Sequence, residues 1–217
     1  MENAGSGKLT VNNAENSLTD VFATCGDLAV LQAGASLHLN ELVIGEMLTV
    51  SAYTGSAQVE AQVASIEVSS VASFASGAKL NANLTLAYGA ELQVADGGVN
   101  LGGALTLHQG LILDSSTLLS VGMLTAGQSQ VLFTGVDMLQ LATSATEFSV
   151  VSGTSCSFQA STYFSNLDSA YELTYTTVDN GASMSGTLAI TVVVPEPATT
   201  TFSLLALASL AARRRRK

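Results

Sequence analysis

The sequence predicts an all-β protein: a parallel β-solenoid (β-helix) with a C-terminal antiparallel β cap, followed by a single short C-terminal transmembrane helix. Three observations carry this prediction. Short stretches that alternate apolar and polar residues recur at a nearly regular interval between Leu9 and Leu141. Aromatic residues then become dense within further alternating segments. The chain ends in an uncharged run followed by five adjacent cations, Arg213–Lys217.

The composition excludes two classes of protein. Hydrophobic residues make up 47% of the 217 residues and charged residues only 11%, the opposite of the balance in a disordered chain. Residues 1–212 hold all seventeen acids but only two of the seven Lys and Arg residues, Lys8 and Lys79, which gives them a net charge of −15. Because such a surface repels phosphate groups, we expect a folded protein with no nucleic-acid partner.

Residues 1–141 are predicted to form the repetitive solenoid region. Alternation with period two indicates half-buried strands, and the Gly, Asn and Asp clusters between them indicate turns. The segments repeat with a period of about twenty positions, which suits stacked coils that bury a shared apolar core. We expect the first residues of five apolar-x-apolar segments to stack in one inward row: Leu28, Leu48, Ile66, Leu84 and Leu105.

A β-sandwich is the alternative architecture, because its strands also recur at short, regular intervals. Antiparallel pairing among the five segments would decide for it. The repeats are similar in composition to those of autotransporter passengers and other surface proteins, and this likeness implies a surface role. No stretch in this region sustains helical spacing over a dozen residues with caps.

Residues 142–194 are predicted to form the β cap. Seven of the twelve Phe and Tyr residues lie between Phe133 and Tyr175. The segment Asp179-Asn180-Gly181 is a hairpin-turn signal, and a cap would close the open end of the repeats. Four segments of this region alternate as strands: Phe148–Val150, Cys156–Ala160, Tyr171–Tyr175 and Leu188–Val192.

Residues 195–217 consist of a Pro-Glu-Pro break, an apolar run and a basic end. The break is Pro195, Glu196 and Pro197, where extended chain ends and a helix can begin. The run Ala198–Ala212 spans roughly 22 Å as a helix, short of a ~30 Å hydrocarbon core, and snorkelling arginines would cover part of the difference. The basic end would stay in the cytoplasm: Arg213, Arg214, Arg215, Arg216 and Lys217.

This order resembles the PEP-CTERM sorting signal of exported bacterial proteins, although it covers only about a tenth of the chain. In that family a Pro-Glu-Pro motif precedes a membrane-spanning helix and an Arg-rich end, and a membrane protease, an exosortase, cuts near the motif. The resemblance implies that residues 195–197 form the sorting motif and residues 213–216 the cytoplasmic stop. It implies an exported protein that is anchored in the membrane and then reaches the cell surface or matrix. A plain membrane anchor is the alternative, as is a core helix with a basic end.

Two further features bear on export. Met1–Ser6 has neither the basic region nor the apolar segment of a secretory signal peptide, so we expect the natural sequence to begin upstream. Cys25 and Cys156 could form a disulfide in an exported protein or remain as two thiols, since their spacing along the chain does not by itself bring them within bridging range.

No residue is predicted to be catalytic, to bind a cofactor or to hold a metal. Gly5-Ser6-Gly7-Lys8 lacks the first Gly and the Ser or Thr of a phosphate loop. Asp96-Gly97-Gly98 and Asp179-Asn180-Gly181 lack the tandem repeat of calcium-binding turns. His38 and His108 each alternate with Leu, so we expect both to face solvent or a neighbouring coil.

Parallel β-helices include enzymes that cleave polysaccharides, and such sites need acids that converge from neighbouring coils. Glu60, Glu67 and Glu91 would converge only if they shared one register. Lys79 is the one basic residue between positions 9 and 212, so the cation that often supports such sites is scarce. The sequence therefore favours a protein that is not an enzyme.

The function that we expect is that of an exported structural or adhesin-like protein of the cell surface or matrix, with extracellular polysaccharide as a candidate partner. The alternative is a carbohydrate-binding or carbohydrate-cleaving β-helix with the same address. A third class, an ice-binding solenoid, needs flat rows of Thr. Thr85 and Thr106 fit such a row, but Glu67 interrupts it.

Overall fold

The structure is a computed structural model, and it describes residues 2–3, 8–11, 16–24, 26–31, 36–54, 59–144, 147–150, 155–179 and 184–193. Strands dominate these residues, in agreement with the predicted all-β class. The first nine strands are β1 Glu2–Asn3, β2 Lys8–Val11, β3 Asn16–Ala23, β4 Asp27–Leu31, β5 Ser36–Ile44, β6 Met47–Thr54, β7 Val59–Val63, β8 Ser65–Phe74 and β9 Lys79–Asn81. The strands that follow are β10 Asn83–Leu86, β11 Glu91–Val94, β12 Val99–His108, β13 Ile112–Leu113, β14 Ser129–Ser144, β15 Glu147–Val150, β16 Ser155–Gln159, β17 Tyr171–Asp179 and β18 Met184–Val192. Helix α1 is Ser115–Gly122, and a 3₁₀ turn covers Ala160–Thr162.

The N-terminal strands pair in parallel, in three series. The first series joins β2, β4, β6, β9, the start of β12 and the start of β14. The second joins β3, the first half of β5, the first half of β8, β10, the end of β12 and the end of β14. The third joins the second halves of β3, β5 and β8 to β11 and β13. The chain passes through the first, second and third series in turn. It then returns to the first series as the next strand of that series.

The separation of register partners along the chain varies within a series. In the second series, Ser65 and Asn83 are 18 positions apart, whereas Thr106 and Gln140 are 34 apart. The longer separations arise where the chain makes an excursion from the series. One excursion is strand β7, which pairs antiparallel with β6, and another contains helix α1.

The predicted row of five segment starts is correct in part. Ile66, Leu84 and Leu105 are register partners, and all three are fully buried. Leu28 and Leu48 belong to the first series instead, where Leu28 pairs with Thr49. The row that contains Ile66 is completed by two other buried leucines, Leu37 and Leu139. The error arose because each coil carries several alternating segments, and spacing alone does not identify which of them are equivalent.

Parallel pairing also bears on the two predicted architectures. Within the described residues, the pairs that join β4, β6, β8, β10 and β12 to their partners across the series are parallel. Antiparallel pairing among these segments was the expected mark of the β-sandwich. The predominance of strands confirms the all-β class. The narrower description as a solenoid stays a proposal, which the parallel pairing supports.

Corner turns of one repeated form connect the series. In Ala75-Ser76-Gly77-Ala78 the N–H of Ala78 donates to the carbonyl of Ala75 at 3.1 Å, and in Ala87-Tyr88-Gly89-Ala90 the equivalent bond is also 3.1 Å. Gly77 and Gly89 adopt φ angles of +72° and +77°. Only glycine adopts this backbone conformation at little cost, so Gly77-Ala78 and Gly89-Ala90 mark two of the corners.

Helix α1 was not predicted. Asp114 precedes it with an extended backbone, and its carboxylate accepts hydrogen bonds from the N–H groups of Thr117 at 2.8 Å and Ser116 at 3.2 Å. This is an N-cap, which satisfies donors that have no partner within the helix. The signal in the sequence was Asp114 before Ser115-Ser116-Thr117, but the helix has only eight residues and so lacks a long apolar period.

The C-terminal strands pair antiparallel. Strands β16, β17 and β18 are neighbours, and β18 also pairs with β14. Strand β14 pairs in parallel with β12 and antiparallel with β18, so one strand takes part in both kinds of pairing. The Asp179-Asn180-Gly181 turn lies outside the described residues except for Asp179.

Aromatic side chains join the two parts of the fold. The rings of Phe74 and Phe133 lie edge to face, with their centroids 6.0 Å apart. Tyr175 is buried, and its hydroxyl donates to the carbonyl of Val136 at 3.3 Å. Phe133 and the carbonyl that accepts from Tyr175 both belong to β14, which pairs with β12 on one side and β18 on the other.

Candidate functional site

The candidate site with a sequence signature is the sorting motif, and it follows directly on strand β18. Pro195, Glu196 and Pro197 lie outside the described residues. The same holds for the predicted helix and for Arg213, Arg214, Arg215 and Arg216. Among the described residues, no helix combines the length and the apolar character needed to cross a membrane.

The chain is bonded to the folded body up to the start of the motif. Strand β18 lies between β17 and β14 and pairs antiparallel with both. At its end, Val192 donates to the carbonyl of Gln128 and accepts from the N–H of Gly127, both at 3.0 Å. Val193 then donates to the carbonyl of Ala170 at 2.8 Å. The last described residue before the motif is thus held by a backbone hydrogen bond.

The end of β18 is also held by hydrogen bonds between side-chain hydroxyl groups. Thr191 Oγ1 lies 2.8 Å from Ser129 Oγ on β14 and 3.1 Å from Thr174 Oγ1 on β17. Thr191 therefore contacts both of the strands that neighbour β18. Since Pro195 is two residues beyond Val193, even fully extended chain would place this first residue of the motif at most about 7 Å from Val193.

The acids considered for carbohydrate cleavage do not share a register. Glu67 pairs with His38 on one side and Thr85 on the other, in the second series. Glu91 pairs with Val71 and Ile112 in the third series. Glu60 lies on β7, which belongs to neither series. The structure therefore does not bring these three residues together.

His38 does contact a neighbouring strand, as expected. Its Nδ1 lies 3.1 Å from Glu67 Oε2, and its Nε2 lies 3.0 Å from Ser36 Oγ. Sequence reasoning missed this cluster because the partner of His38 depends on register, which local spacing does not reveal. The available signal was the Ser-Leu-His triplet, which places Ser36 and His38 on one face of a strand.

A groove of about 330 Å³ lies where the turn at Asp96 and the end of α1 meet the start of β14. Its polar lining includes Asp96, Ser120, Ser129 and Gln130. Gln130 is 8% exposed, and its Nε2 has no hydrogen-bond partner among the described residues. A buried amide donor without a partner costs about 1–3 kcal/mol, so the Gln130 amide is a local cost to stability beside the groove.

Three remaining predictions have mixed outcomes. Thr85 and Thr106 are register partners, but Thr106 is largely buried and bonds to Gln140 at 3.1 Å, so this row is no flat rank of exposed Thr. Cys25 lies outside the described residues, so its pairing with Cys156 is untested. No group of three His, Cys, Asp or Glu residues suited to a metal ion occurs in the part of the chain that the structure describes.

Comparison with known proteins identifies the C-terminal segment. No curated protein and no solved structure matches the chain, so the likeness of its body to autotransporter repeats stays a prediction. Residues 193–217 match the family model of the PEP-CTERM protein-sorting motif. The match begins at Val193, the residue that follows β18. The chain therefore carries the signal of an exported protein that an exosortase sorts at the membrane.

Proposed function

We propose that this protein is a non-catalytic structural or adhesin-like component of the cell surface or matrix, and that an exosortase releases it from a C-terminal membrane anchor. The observation that carries the proposal is the match of residues 193–217 to the sorting motif, directly after the last strand. The folded body would be the exported product, and the segment from Pro195 onward would be its sorting signal.

Each part of the segment has a physical task in this proposal. Pro195, Glu196 and Pro197 keep the junction extended and outside the membrane, where a protease can reach it. Ala198–Ala212 holds the chain in the bilayer. The cations of 213–217 stop it from passing through, because each costs about 2.5–3.5 kcal/mol at the centre of a membrane helix.

The body suits presentation outside the cell. Each of the three parallel series gains one strand with each coil of the chain, which supports a β-solenoid stalk. The antiparallel strands β16–β18 support a cap at its end. Each coil adds about 4.8 Å of length. A net charge of −15 over residues 1–212 supports a body that remains in solution rather than on anionic lipid.

The sorting signal is tested by transfer to another protein. Residues 190–217 are fused to an exported reporter and expressed in a host that has an exosortase and in a host that lacks one. In the first host we expect a reporter that has lost the segment beyond the Pro-Glu-Pro motif, and in the second a full-length, membrane-bound reporter. Replacing Pro195, Glu196 and Pro197 by alanine should block shortening and leave anchoring intact.

A matched variant separates recognition from retention. Replacing Arg213, Arg214, Arg215 and Arg216 by serine should let the tail slip across the membrane without altering the motif. If the triple-alanine fusion is still shortened in the exosortase host, the Pro-Glu-Pro motif is not the recognised element. The segment would then be a plain membrane anchor.

An extracellular polysaccharide is the partner class that the groove supports. The polar groups in its lining, from Asp96, Ser120, Ser129 and Gln130, suit a ligand that presents hydroxyl groups. The test is a glycan array probed with the full chain, the Gln130→Ala variant and the control Gln159→Ala, which changes an exposed residue on β16. Binding that is lost only in Gln130→Ala supports the groove. Release of products from the bound glycan would decide for the carbohydrate-cleaving alternative, and an array without binding would contradict a polysaccharide partner.

A further inference from the structure

Three side chains form a line of hydrogen bonds on the outer face of the second series. Ser36 and His38 are two residues apart on β5 and point to the same face, while Leu37 between them is buried in the core. Glu67 on β8 is the register partner of His38. The distance from Ser36 Oγ to His38 Nε2 is 3.0 Å, and the distance from His38 Nδ1 to Glu67 Oε2 is 3.1 Å.

Hydrogen-bonding capacity determines where the protons lie in this line. A carboxylate only accepts, so a neutral His38 carries its proton on Nδ1 and donates it to Glu67. Nε2 then has a free lone pair and accepts from the Ser36 hydroxyl. Nucleophile, base and carboxylate follow one another in the order of a serine hydrolase triad, which is recognised by geometry and roles rather than by sequence order.

A second serine in the same row lacks a base. Ser65 is the register partner of Ser36, and the structure places Asn83 on its other side. Asn83 Oδ1 accepts from the N–H of Ala104 at 2.9 Å, which directs its Nδ2 toward Ser65 Oγ at 3.5 Å. Ser65 thus faces a donor where Ser36 faces an acceptor, although the two serines lie in one register row and Ser65 is the more exposed of the two.

We propose that Ser36 is a base-activated nucleophile that accepts acyl groups from small activated esters, with His38 as general base and Glu67 as its orienting partner. Oγ of Ser36 forms a bond to the carbonyl carbon, and the bond from that carbon to the alkoxy oxygen breaks. The hydroxyl proton passes to His38 Nε2 and from there to the departing alkoxide. The products are an acyl ester on Ser36 and a free alcohol, without any change of oxidation state.

The openness of the site limits what it does. The side chains of His38 and Glu67 are 54% and 44% exposed, so an ester can reach Ser36 but water is not excluded. General-base assistance alone contributes about 10²- to 10⁴-fold. We expect slow acylation of Ser36, so the acyl ester on Ser36 is the species to measure.

The experiment treats the full chain, in mild detergent at neutral pH, with p-nitrophenyl acetate. Peptide mass spectrometry follows acetylation at Ser36 and at Ser65, which serves as a reference within the same molecule. We expect acetyl to appear on Ser36 at a rate about 10²- to 10⁴-fold above Ser65. His38→Ala should abolish that difference, Glu67→Gln should reduce it, and Ser65→Ala should leave Ser36 acetylation unchanged.

Circular dichroism of each variant keeps the result interpretable, because all three substituted side chains lie on the outer face of the sheet and folding should be unaffected. Equal acetylation of Ser36 and Ser65 in the unmodified chain would overturn the proposal. Preferential acetylation of Ser36 that persists in His38→Ala would overturn it as well, since His38 would then not be the base. Neither outcome bears on sorting, which depends on residues 193–217.

Discussion

At the scale of single residues, the inward row through Leu84 carries much of the stability of the parallel series. Its members are fully buried between neighbouring leucine and isoleucine side chains of adjacent coils. Burial of one such side chain stabilises the folded state by about 1.5–3 kcal/mol. Thr85, the next residue along the strand, points outward and is half-buried.

Leu84→Ala is expected to lower the free energy of unfolding by about 2–5 kcal/mol, because it removes apolar contacts and leaves a cavity. Urea denaturation of the full chain measures this change. The matched control is Thr85→Ala, which should stay within about 0.5 kcal/mol of the unmodified protein. Equal losses for the two variants would mean that Leu84 does not face the core.

Tyr175 should make the stability of the fold depend on pH in the alkaline range. Burial, and secondarily the negative charge of Asp137, raise the pKa of the Tyr175 hydroxyl above its usual value near 10. Burial likewise raises the pKa of Tyr163. Because the pKa of each hydroxyl is higher in the folded state than in the unfolded state, its contribution to stability is fully present below the unfolded-state pKa. That contribution is lost as pH rises through the folded-state pKa.

We therefore expect the urea midpoint of the full chain to fall as the pH rises above about 10. Asp137→Asn should weaken this fall, because it removes one of the two causes of the shift at Tyr175 while leaving Tyr163 unaltered. Denaturation curves at several pH values between neutral and strongly alkaline provide the measurement. A midpoint that does not change with pH in either protein would contradict the buried placement of both hydroxyls.

At the scale of elements, helix α1 depends on its cap. The carboxylate of Asp114 loses some solvation on partial burial, which by itself raises its pKa, but hydrogen bonds from Thr117 and Ser116 outweigh this and hold the pKa below its usual value. A lowered folded-state pKa stabilises the protein above the unfolded-state value, and the gain is lost as pH falls through the folded-state pKa.

Asp114→Ala should cost about 0.5–2 kcal/mol in unfolding free energy at neutral pH, because two N–H groups of the first turn lose their acceptor. Asp114→Asn is the control: asparagine is an equally good cap but does not titrate, so most of the stability should remain. The difference between the aspartate protein and Asp114→Asn should shrink in acid. An alanine variant as stable as the unmodified chain would rule out this capping role.

The junction between β18 and the sorting motif sets a geometric limit on processing. Val192 and Val193 are bonded to the body, so chain length allows Pro195, the first residue of the motif, a reach of at most about 7 Å from Val193. Insertion of eight Gly and Ser residues after Val193 should increase the rate at which the tail is removed in a host with an exosortase. The same insertion at the exposed corner of Gly89 should have no effect. Immunoblots over time measure both rates, and equal rates would show that the body does not hinder the protease.

At the scale of the whole molecule, parallel register is what brings distant parts of the chain together. Ser73 on β8 and Gln93 on β11 are register partners from different coils, and their side chains are 2.6 Å apart. Neighbouring strands lie about 4.8 Å apart, which falls within the Cα separation of disulfides. Register can therefore be tested by crosslinking.

In a chain whose two native cysteines are replaced by serine, the pair Ser73→Cys and Gln93→Cys should oxidise to a disulfide in high yield. The control pair is Ser73→Cys with Glu91→Cys, since Glu91 is the partner of Val71 and lies diagonally across from Ser73. Electrophoresis with and without reductant, combined with mass spectrometry, measures the yield. Preferential crosslinking of the control pair would mean that the strands are shifted by two residues.

The sequence by itself determined the strand segments, the glycine corners, the antiparallel C-terminal strands and the sorting motif. These features rest on local chemistry: alternation with period two, the left-handed backbone that glycine permits, and the order of Pro-Glu-Pro, apolar run and cations. All of them can be recognised within a few consecutive residues, as in Leu84-Thr85-Leu86 or Gly77-Ala78.

Only the tertiary structure decided which segments are neighbours. Leu28 resembles Ile66 in its local pattern, yet it lies in another series, because several alternating segments occur in each coil and excursions such as β7 and α1 change the spacing. The line of Ser36, His38 and Glu67 depends on that register, as does the attachment of Val193 to Ala170. A hydrogen bond between strands depends on the alignment of residues far apart in the chain, and no local pattern encodes that alignment.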